Sequence, residues 1–230
     1  MDLKEEHSKL IVSVKPFCRR NVVVEQPTKS ELKIFQAAKE IFLEKGKEGA
    51  SMREIAKRAD INASMLYYYF RSKDKLYERV FIEELHTFFG DFIDSFVETV
   101  DFQAFLHRFI DTYTDKLAKH PHIIRFILWE LDRGAGLVTQ TLHAIFDERG
   151  FSRNPLLQRV EQAISDGHIR RVDPLNLILT LIGACLYPFI ARPIVERIFT
   201  ETDILDQDFS RRRKTEIFDV IWNGVKPDSI

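Results

Sequence analysis

The sequence predicts an all-α fold, in which a small three-helix unit is followed by a larger helical body. Three observations predict it. From residue 28 onward apolar residues recur with a period near 3.6, and strand-like alternation is nearly absent. Helix boundaries are punctuated: Asn154-Pro155 and Asp173-Pro174 each put a proline at a first helical position behind a capping side chain, and Gly134, Gly150 and Gly167 stand where helices should end. Hydrophobic residues make up 45% of the 230, enough to build a core and too many for a disordered chain.

The elements follow in order. Residues 1–27 stand apart, with β-branched runs at 10–14 and 22–24 around Pro16. They read as a loosely ordered N-terminal extension, a small hairpin being the alternative. A first helix over 29–45 places Leu32, Phe35, Ala38 and Phe42 on one stripe, and Gly46 is placed to close it. Ser51-Met52-Arg53-Glu54 then has the form of a capping box, Ser51 accepting from the amide of Glu54 while Glu54 reaches back. That second helix is short, because residues 59–62 turn the chain. A third runs over 63–70, Arg71-Ser72 breaks it, and Ser72 caps a fourth that starts at Lys73 and continues past Phe92. Further helical stripes lie near 102–118, 121–133, 135–148, 155–166, 174–191 and 210–224.

Composition narrows the function. The net charge is −1, but its distribution is uneven: residues 28–79 hold twelve Lys and Arg against eight Asp and Glu, and residues 80–230 hold seventeen against twenty-three. A basic segment ahead of an acidic body suits a protein that meets phosphates at one end. Cys18 and Cys185 show neither metal spacing nor a disulfide framework, which suits a reducing compartment. The charged opening MDLKEEHSKL is no signal peptide, and the longest apolar stretch, 175–191, is interrupted by Asn176, Thr180, Gly183 and Pro188. A cytoplasmic protein without a membrane partner is expected. The chain carries no nucleophile elbow, P-loop, dinucleotide fingerprint or zinc-helix motif, so neither enzyme nor cofactor is expected. His120-Pro121-His122 lacks companion ligands at metal spacing, so no metal is expected. The run Arg211-Arg212-Arg213-Lys214 reads as a solvated helix end offset by Asp203, Asp206 and Asp208.

The informative stretch is 51–75. Two short helices joined by a tight turn have the layout of a helix-turn-helix, whose second helix enters the DNA major groove. Ser51, with Met52 behind it, opens a helix N-terminus suited to a phosphate oxygen. Arg53 carries the planar fork that pairs with guanine O6 and N7. Asn62, Ala63, Ser64 and Met65 lead the third helix, where base edges are met, and Tyr67, Tyr68 and Tyr69 follow. Leu66 and Phe70 are expected in the core, with Tyr67 partly so. Lys73 and Lys75 are candidate phosphate clamps.

The segment KIFQAAKEIFLEKGKEGASMREIAKRADINASMLYYYFRSKDKLYERV resembles the DNA-binding domain of the tetracycline-repressor (TetR) family of bacterial transcriptional regulators, over about residues 30–80. The I-A-x-x-A core, the turn, L-Y-x-Y-F and S-K-x-x-L all occur in register. Ala50 departs from a frequent Thr, Lys47 from a common aromatic and Ser64 from the usual Gly. The resemblance implies that Ser51 and Arg53 touch DNA from the second helix. It also implies that Ala63, Ser64, Met65, Tyr67, Tyr68 and Tyr69 form the recognition face and that Lys73 holds a phosphate. It gives the fold class in full: all-α, with an N-terminal three-helix helix-turn-helix domain (28–75) followed by a larger helical ligand-binding and dimerisation domain (76–230). The expected partners are a double-stranded, palindromic DNA operator and a second copy of the chain, paired through the last two long helices, 173–191 and 210–224. A small hydrophobic or aromatic ligand completes them, with Phe88, Phe92, Phe109, Tyr113, Phe126 and Trp129 as candidate pocket lining. The expected function is a ligand-responsive repressor; the alternative is a helical adaptor whose helix-turn-helix no longer binds DNA.

Overall fold

The computed structural model describes residues 28–97, 101–199 and 203–227. The extension 1–27, with Cys18, lies outside them. The described residues form eleven α-helices and one π-helical turn, with no strand among them. The chain divides into two compact units after Val80.

The first unit holds α1 (Lys29–Gly49), α2 (Met52–Arg58), α3 (Ala63–Phe70) and the start of α4 (Lys73–Val97). α1 opens on a complete capping box: Glu31 N donates to Thr28 Oγ1 at 3.2 Å and Thr28 N to Glu31 Oε2 at 2.7 Å. The box expected at Ser51 is only half made. Ser51 Oγ accepts from Glu54 N at 3.2 Å, but the Glu54 carboxylate turns to the Lys45 ammonium on α1. Gly46 (φ 70°) kinks α1 where an end was expected. The buried face of α1 is Ile34, Ala37, Ala38, Ile41 and Phe42, an i, i+3, i+4, i+7, i+8 set. Leu32 lies off that face and is 56% exposed, so the expected stripe is rotated. Ile34, Ile41, Phe42, Ile55, Leu66 and Leu76 are fully buried, each worth about 1.5–3 kcal/mol in water exclusion. Tyr77 of α4 meets Phe42 edge-on at 5.1 Å. Arg58 grips Glu44 through both nitrogens (2.7 and 3.0 Å), tying α2 to α1. That pairing lowers the Glu44 carboxyl and raises the Arg58 guanidinium from their ordinary pKa values.

The α2–α3 turn is a Schellman motif. Ile61 N donates to Ala56 O at 3.0 Å and Asp60 N to Lys57 O at 3.3 Å. Its left-handed residue is Asp60 (φ 54°), not glycine. In the second unit Gly134, Gly150 and Gly167 fill the corresponding position at the ends of three helices.

The second unit contains the rest of α4, α5 (Phe102–Lys119), α6 (His122–Asp132), α7 (Gly136–Glu148), α8 (Pro155–Ser165), α9 (Pro174–Ile190), α10 (Arg192–Ile194), the π-helical turn (Val195–Phe199) and α11 (Gln207–Val225). α5 packs on both α9 and α11, α8 on α9, and α6 on α7. Asn154 and Asp173 cap α8 and α9 ahead of their prolines, as the sequence predicts. α11 starts earlier than expected, because the Asp206 carboxylate accepts from the amides of Asp208 and Phe209. The basic run therefore lies inside the helix. Arg211 pairs with Asp208 at 3.1 Å and both Arg211 and Arg212 are exposed. Lys214 turns to Asp115 (2.6 Å) on α5 and Arg213 turns inward, so the run is not a solvated end throughout. No single helix among the described residues is long and apolar enough to cross a membrane.

Candidate functional site

Ile55 and Ala56 on α2, Ala59 at its C-terminal cap and Leu66 on α3 are all buried. Packing these small and branched side chains together fixes the two helices and decides which residues face out. Ser51, Arg53, Asn62, Ser64, Met65, Tyr67 and Tyr68 are exposed, and Ala63 and Tyr69 are half-buried. Tyr68 projects furthest, at 81% exposed. Met52 does not belong to this surface. Its side chain is buried, because it follows the cap and shares the inward face with Ile55 and Ala56. The tyrosines also sort differently from expectation. With Leu66 pointing inward, Tyr69 three residues on shares its side, whereas Tyr67 and Tyr68 rotate away. Tyr67 is 49% exposed rather than partly core, Phe70 is half-buried, and Tyr69 backs Tyr68 edge-on at 5.6 Å. Asn62 caps α3: its Oδ1 accepts from Ser64 N (2.9 Å) and from Ser64 Oγ (2.7 Å). That commits its carbonyl oxygen to the helix and leaves the NH2 group to address a base.

Lys73 is half-buried, and its ammonium donates to Glu48 O (3.3 Å) and Ala50 O (3.2 Å) at the end of α1. Two of its three protons therefore hold the corner between α1 and α2, and one remains for a phosphate. Lys47 reinforces the same corner by pairing with Asp74 (2.9 Å) and lying over the Tyr77 ring at 5.3 Å. Lys75 is exposed and pairs with Glu78 at 3.0 Å. The face thus offers a cationic fork, an amide donor, two stackable rings and two ammonium groups over a rigid core. That inventory matches the base-edge and phosphate chemistry of a DNA reader.

The six aromatic residues expected to line a pocket are instead packed against other rings, in two separate groups. Phe92 meets Phe109 at 5.1 Å and Tyr113 at 5.2 Å, and Phe88 meets Tyr113 at 6.1 Å. Phe126 sits apart from these rings, edge-on to Phe81 (6.2 Å) and to the half-buried Trp129 (6.0 Å). Phe88, Phe92, Phe109, Tyr113 and Phe126 are all buried. Burial raises the Tyr113 phenol well above its ordinary pKa. None of the six lines the cavities described in this unit. The space between them is filled with rings, which is the packing that aromatic side chains adopt at these separations.

One of these cavities lies between α5, α9 and α11, lined by Thr114, Cys185, Phe189, Leu205, Phe209 and Arg213 among others. Sequence reasoning missed it, because Arg213 was grouped with the exposed basic run.

Fold and site together define a helix-turn-helix DNA-binding regulator of transcription. Comparison with known proteins agrees. Residues 34–80 match the family model of bacterial regulatory proteins of the tetR family. Residues 103–221, half of the chain, match that of the tetracyclin repressor-like C-terminal domain. The chain belongs to the TetR family. It is 24% identical over 198 residues to the HTH-type transcriptional regulator RutR of Escherichia coli K12, covering 84% of this chain and 89% of that one. It is 23% identical over 211 residues to the HTH-type transcriptional repressor NicS of Pseudomonas putida, covering 90% and 98%. Among solved structures it is similar to the transcriptional regulator FadR of Bacillus subtilis in complex with stearoyl-CoA, with a TM-score of 0.62 and 18% identity over 84% of this chain and 98% of that one.

Proposed function

We propose that this protein is a ligand-responsive repressor in the cytoplasm that binds a palindromic operator as a homodimer. The observation that carries the reading is the surface of α2 and α3. Arg53, Asn62, Ser64, Met65, Tyr67 and Tyr68 are presented together over a buried core, with Ser51 and Lys75 exposed beside them. Arg53 and the leading end of α3 read base edges, while Ser51, Lys73 and Lys75 hold phosphates. Ala63 and Tyr69 set how closely α3 approaches the groove.

Dimerisation is supported by α9 and α11. Leu175, Leu179, Tyr187 and Ile190 on α9 and Val220 on α11 are large apolar side chains left 43–72% exposed. The first three, with Gly183, follow an i, i+4, i+8, i+12 spacing, a continuous seam for a second copy. Two reading heads on one operator multiply a modest single-site affinity. The name of NicS as a repressor supports the sign. The stearoyl-CoA held by Bacillus subtilis FadR supports the second unit as the place where a small molecule acts. Ligand coupling runs through α4, which belongs to both units.

The experiment is selection of binding sites from a random double-stranded DNA pool. A recovered inverted repeat, bound at a stoichiometry of two chains, supports the reading. Recovery of no consensus, at any salt concentration, overturns it.

A further inference from the structure

Pro188 sits inside α9 and has no N–H, so the carbonyl of Ala184 loses its helical partner. Arg213 of α11 replaces it: Nη2 donates to Ala184 O at 3.1 Å. This brings a guanidinium into the interior with work left undone. Arg213 Nε is buried with no hydrogen-bond partner, and no carboxylate of the described residues pairs with the side chain. Facing the same cavity, Thr114 of α5 is 4% exposed, and its buried Oγ1 has the Cys185 thiol beside it but no hydrogen bond to any oxygen or nitrogen. A helical threonine ordinarily turns its hydroxyl back to the carbonyl four residues earlier. Thr139, Thr141, Thr180 and Thr215 do so here, at 2.7–3.2 Å. Thr114 does not, and unlike Thr87 and Thr112, which also make no such bond, it is buried. The Cys185 thiol completes the inner wall, pushed up to about 11 by burial, with the Thr114 hydroxyl and the Arg213 charge offsetting part of that.

Hydroxyl, guanidinium N–H and neutral thiol are all hydrogen-bond donors. The lining contains no Asp or Glu, and its remaining wall includes Phe189, Ile204, Leu205 and Phe209. The unpartnered Arg213 Nε–H and the Thr114 hydroxyl are each costly to leave buried, and one anionic acceptor reached by both lowers that cost. The enclosed space is about 30 Å³, enough for a group of one or two water-sized atoms. At Ala118, Leu205 and Ser210 it adjoins an open groove of about 710 Å³ between α5 and α11.

We infer that this cavity is the effector site, and that it binds a small organic acid: the carboxylate is held by Arg213 and Thr114, and the apolar body lies along Leu205 and Phe209 towards the groove. The ligand class is therefore anionic and compact, where the aromatic residues had suggested a planar hydrophobe. Its action on DNA rests on the dimer reading above, because α9 and α11 line the cavity on one side and carry the exposed apolar seam on the other.

The test uses the full chain without DNA. Acetate, butyrate, hexanoate and benzoate are titrated by calorimetry beside the alcohol and the amine of matching skeleton, for wild type, Arg213→Gln and Thr114→Val. Gln keeps a donor for Ala184 O, and Val keeps the shape of Thr114, so a folding defect in one variant leaves the other to decide. The expected result is at least one acid bound tenfold or more tightly than its alcohol and amine, and weakened at least tenfold by either substitution. Two results overturn the inference: acids bound no better than alcohols, or acid binding unchanged in Thr114→Val. The cavity is then a water site that serves folding. Because no DNA is present, such a failure leaves DNA recognition standing. Loss of operator binding by the ligand-free wild type would overturn the repressor reading instead.

Discussion

Asp60 occupies the left-handed position of the α2–α3 turn, at φ 54°. Short polar side chains tolerate that region better than others, but glycine is free of the clash altogether. Asp60→Gly is expected to stabilise the protein by about 0.5–1 kcal/mol, and Asp60→Val to destabilise it by more than about 1 kcal/mol; urea midpoints of the two variants check both signs. Lys73 and Lys75 separate two roles that the sequence could not tell apart. Lys73 bonds two α1 carbonyls, so Lys73→Met should lose about 1–2 kcal/mol of stability as well as DNA affinity. Lys75 is exposed beside Glu78, so Lys75→Met should leave stability within about 0.5 kcal/mol and lower the salt slope of DNA binding by about one. Both lysines read as phosphate clamps in the sequence, because composition does not reveal which carbonyls a flexible ammonium will reach. Cys185 adds a pH signature. Its folded pKa, pushed up to about 11, lies above that of an ordinary thiol, so burial favours the neutral form. The associated stability is present in full below about pH 9 and is lost as pH rises through about 11. In a Cys18→Ser background, iodoacetamide should label native protein at pH 8 far more slowly than denatured protein.

At the scale of elements, most boundaries were legible, because each is written in a few local residues. Asn154 and Asp173 ahead of prolines, and Gly134, Gly150 and Gly167 at the stops, act within one turn of where they stand. The facing of α1 was less legible. Leu32 and Ile34 each begin an apolar series, and only packing against α2 and α3 chooses the second. The second unit was least legible at its site. Rings at helical spacing read the same whether they enclose a cavity or fill one, and Phe88, Phe92, Phe109 and Tyr113 fill it. Arg213 was hidden among three other cations, and its inward turn follows from Pro188, a residue on another helix. α9 and α11 carry the element-scale prediction. Leu179 and Tyr187 are 58% and 60% exposed, so glutamate at either position costs the isolated subunit little while placing charge in the proposed two-fold seam. Leu179→Glu and Tyr187→Glu should sediment as folded monomers where the wild type sediments as a dimer.

For the molecule as a whole, charge and surface agree on a direction. The basic excess of residues 28–79 and the acidic excess of residues 80–230 favour phosphate contact by the first unit over the second. The same division separates the proposed DNA-reading surface from the unit that carries the proposed dimer seam and acid site. A regulator needs these parts to be distinct, so that ligand affinity and DNA affinity can be coupled without sharing residues. The central claim is that the α2–α3 face binds DNA by base readout over a phosphate grip. It is tested most directly by fluorescence anisotropy on the operator recovered by selection, across a salt series, for wild type and Arg53→Ala. Binding is expected to weaken steeply and linearly in log–log form with salt, and Arg53→Ala to lose about 1–3 kcal/mol with relaxed sequence preference. Salt-insensitive binding, or an Arg53→Ala variant with unchanged affinity and preference, would contradict it.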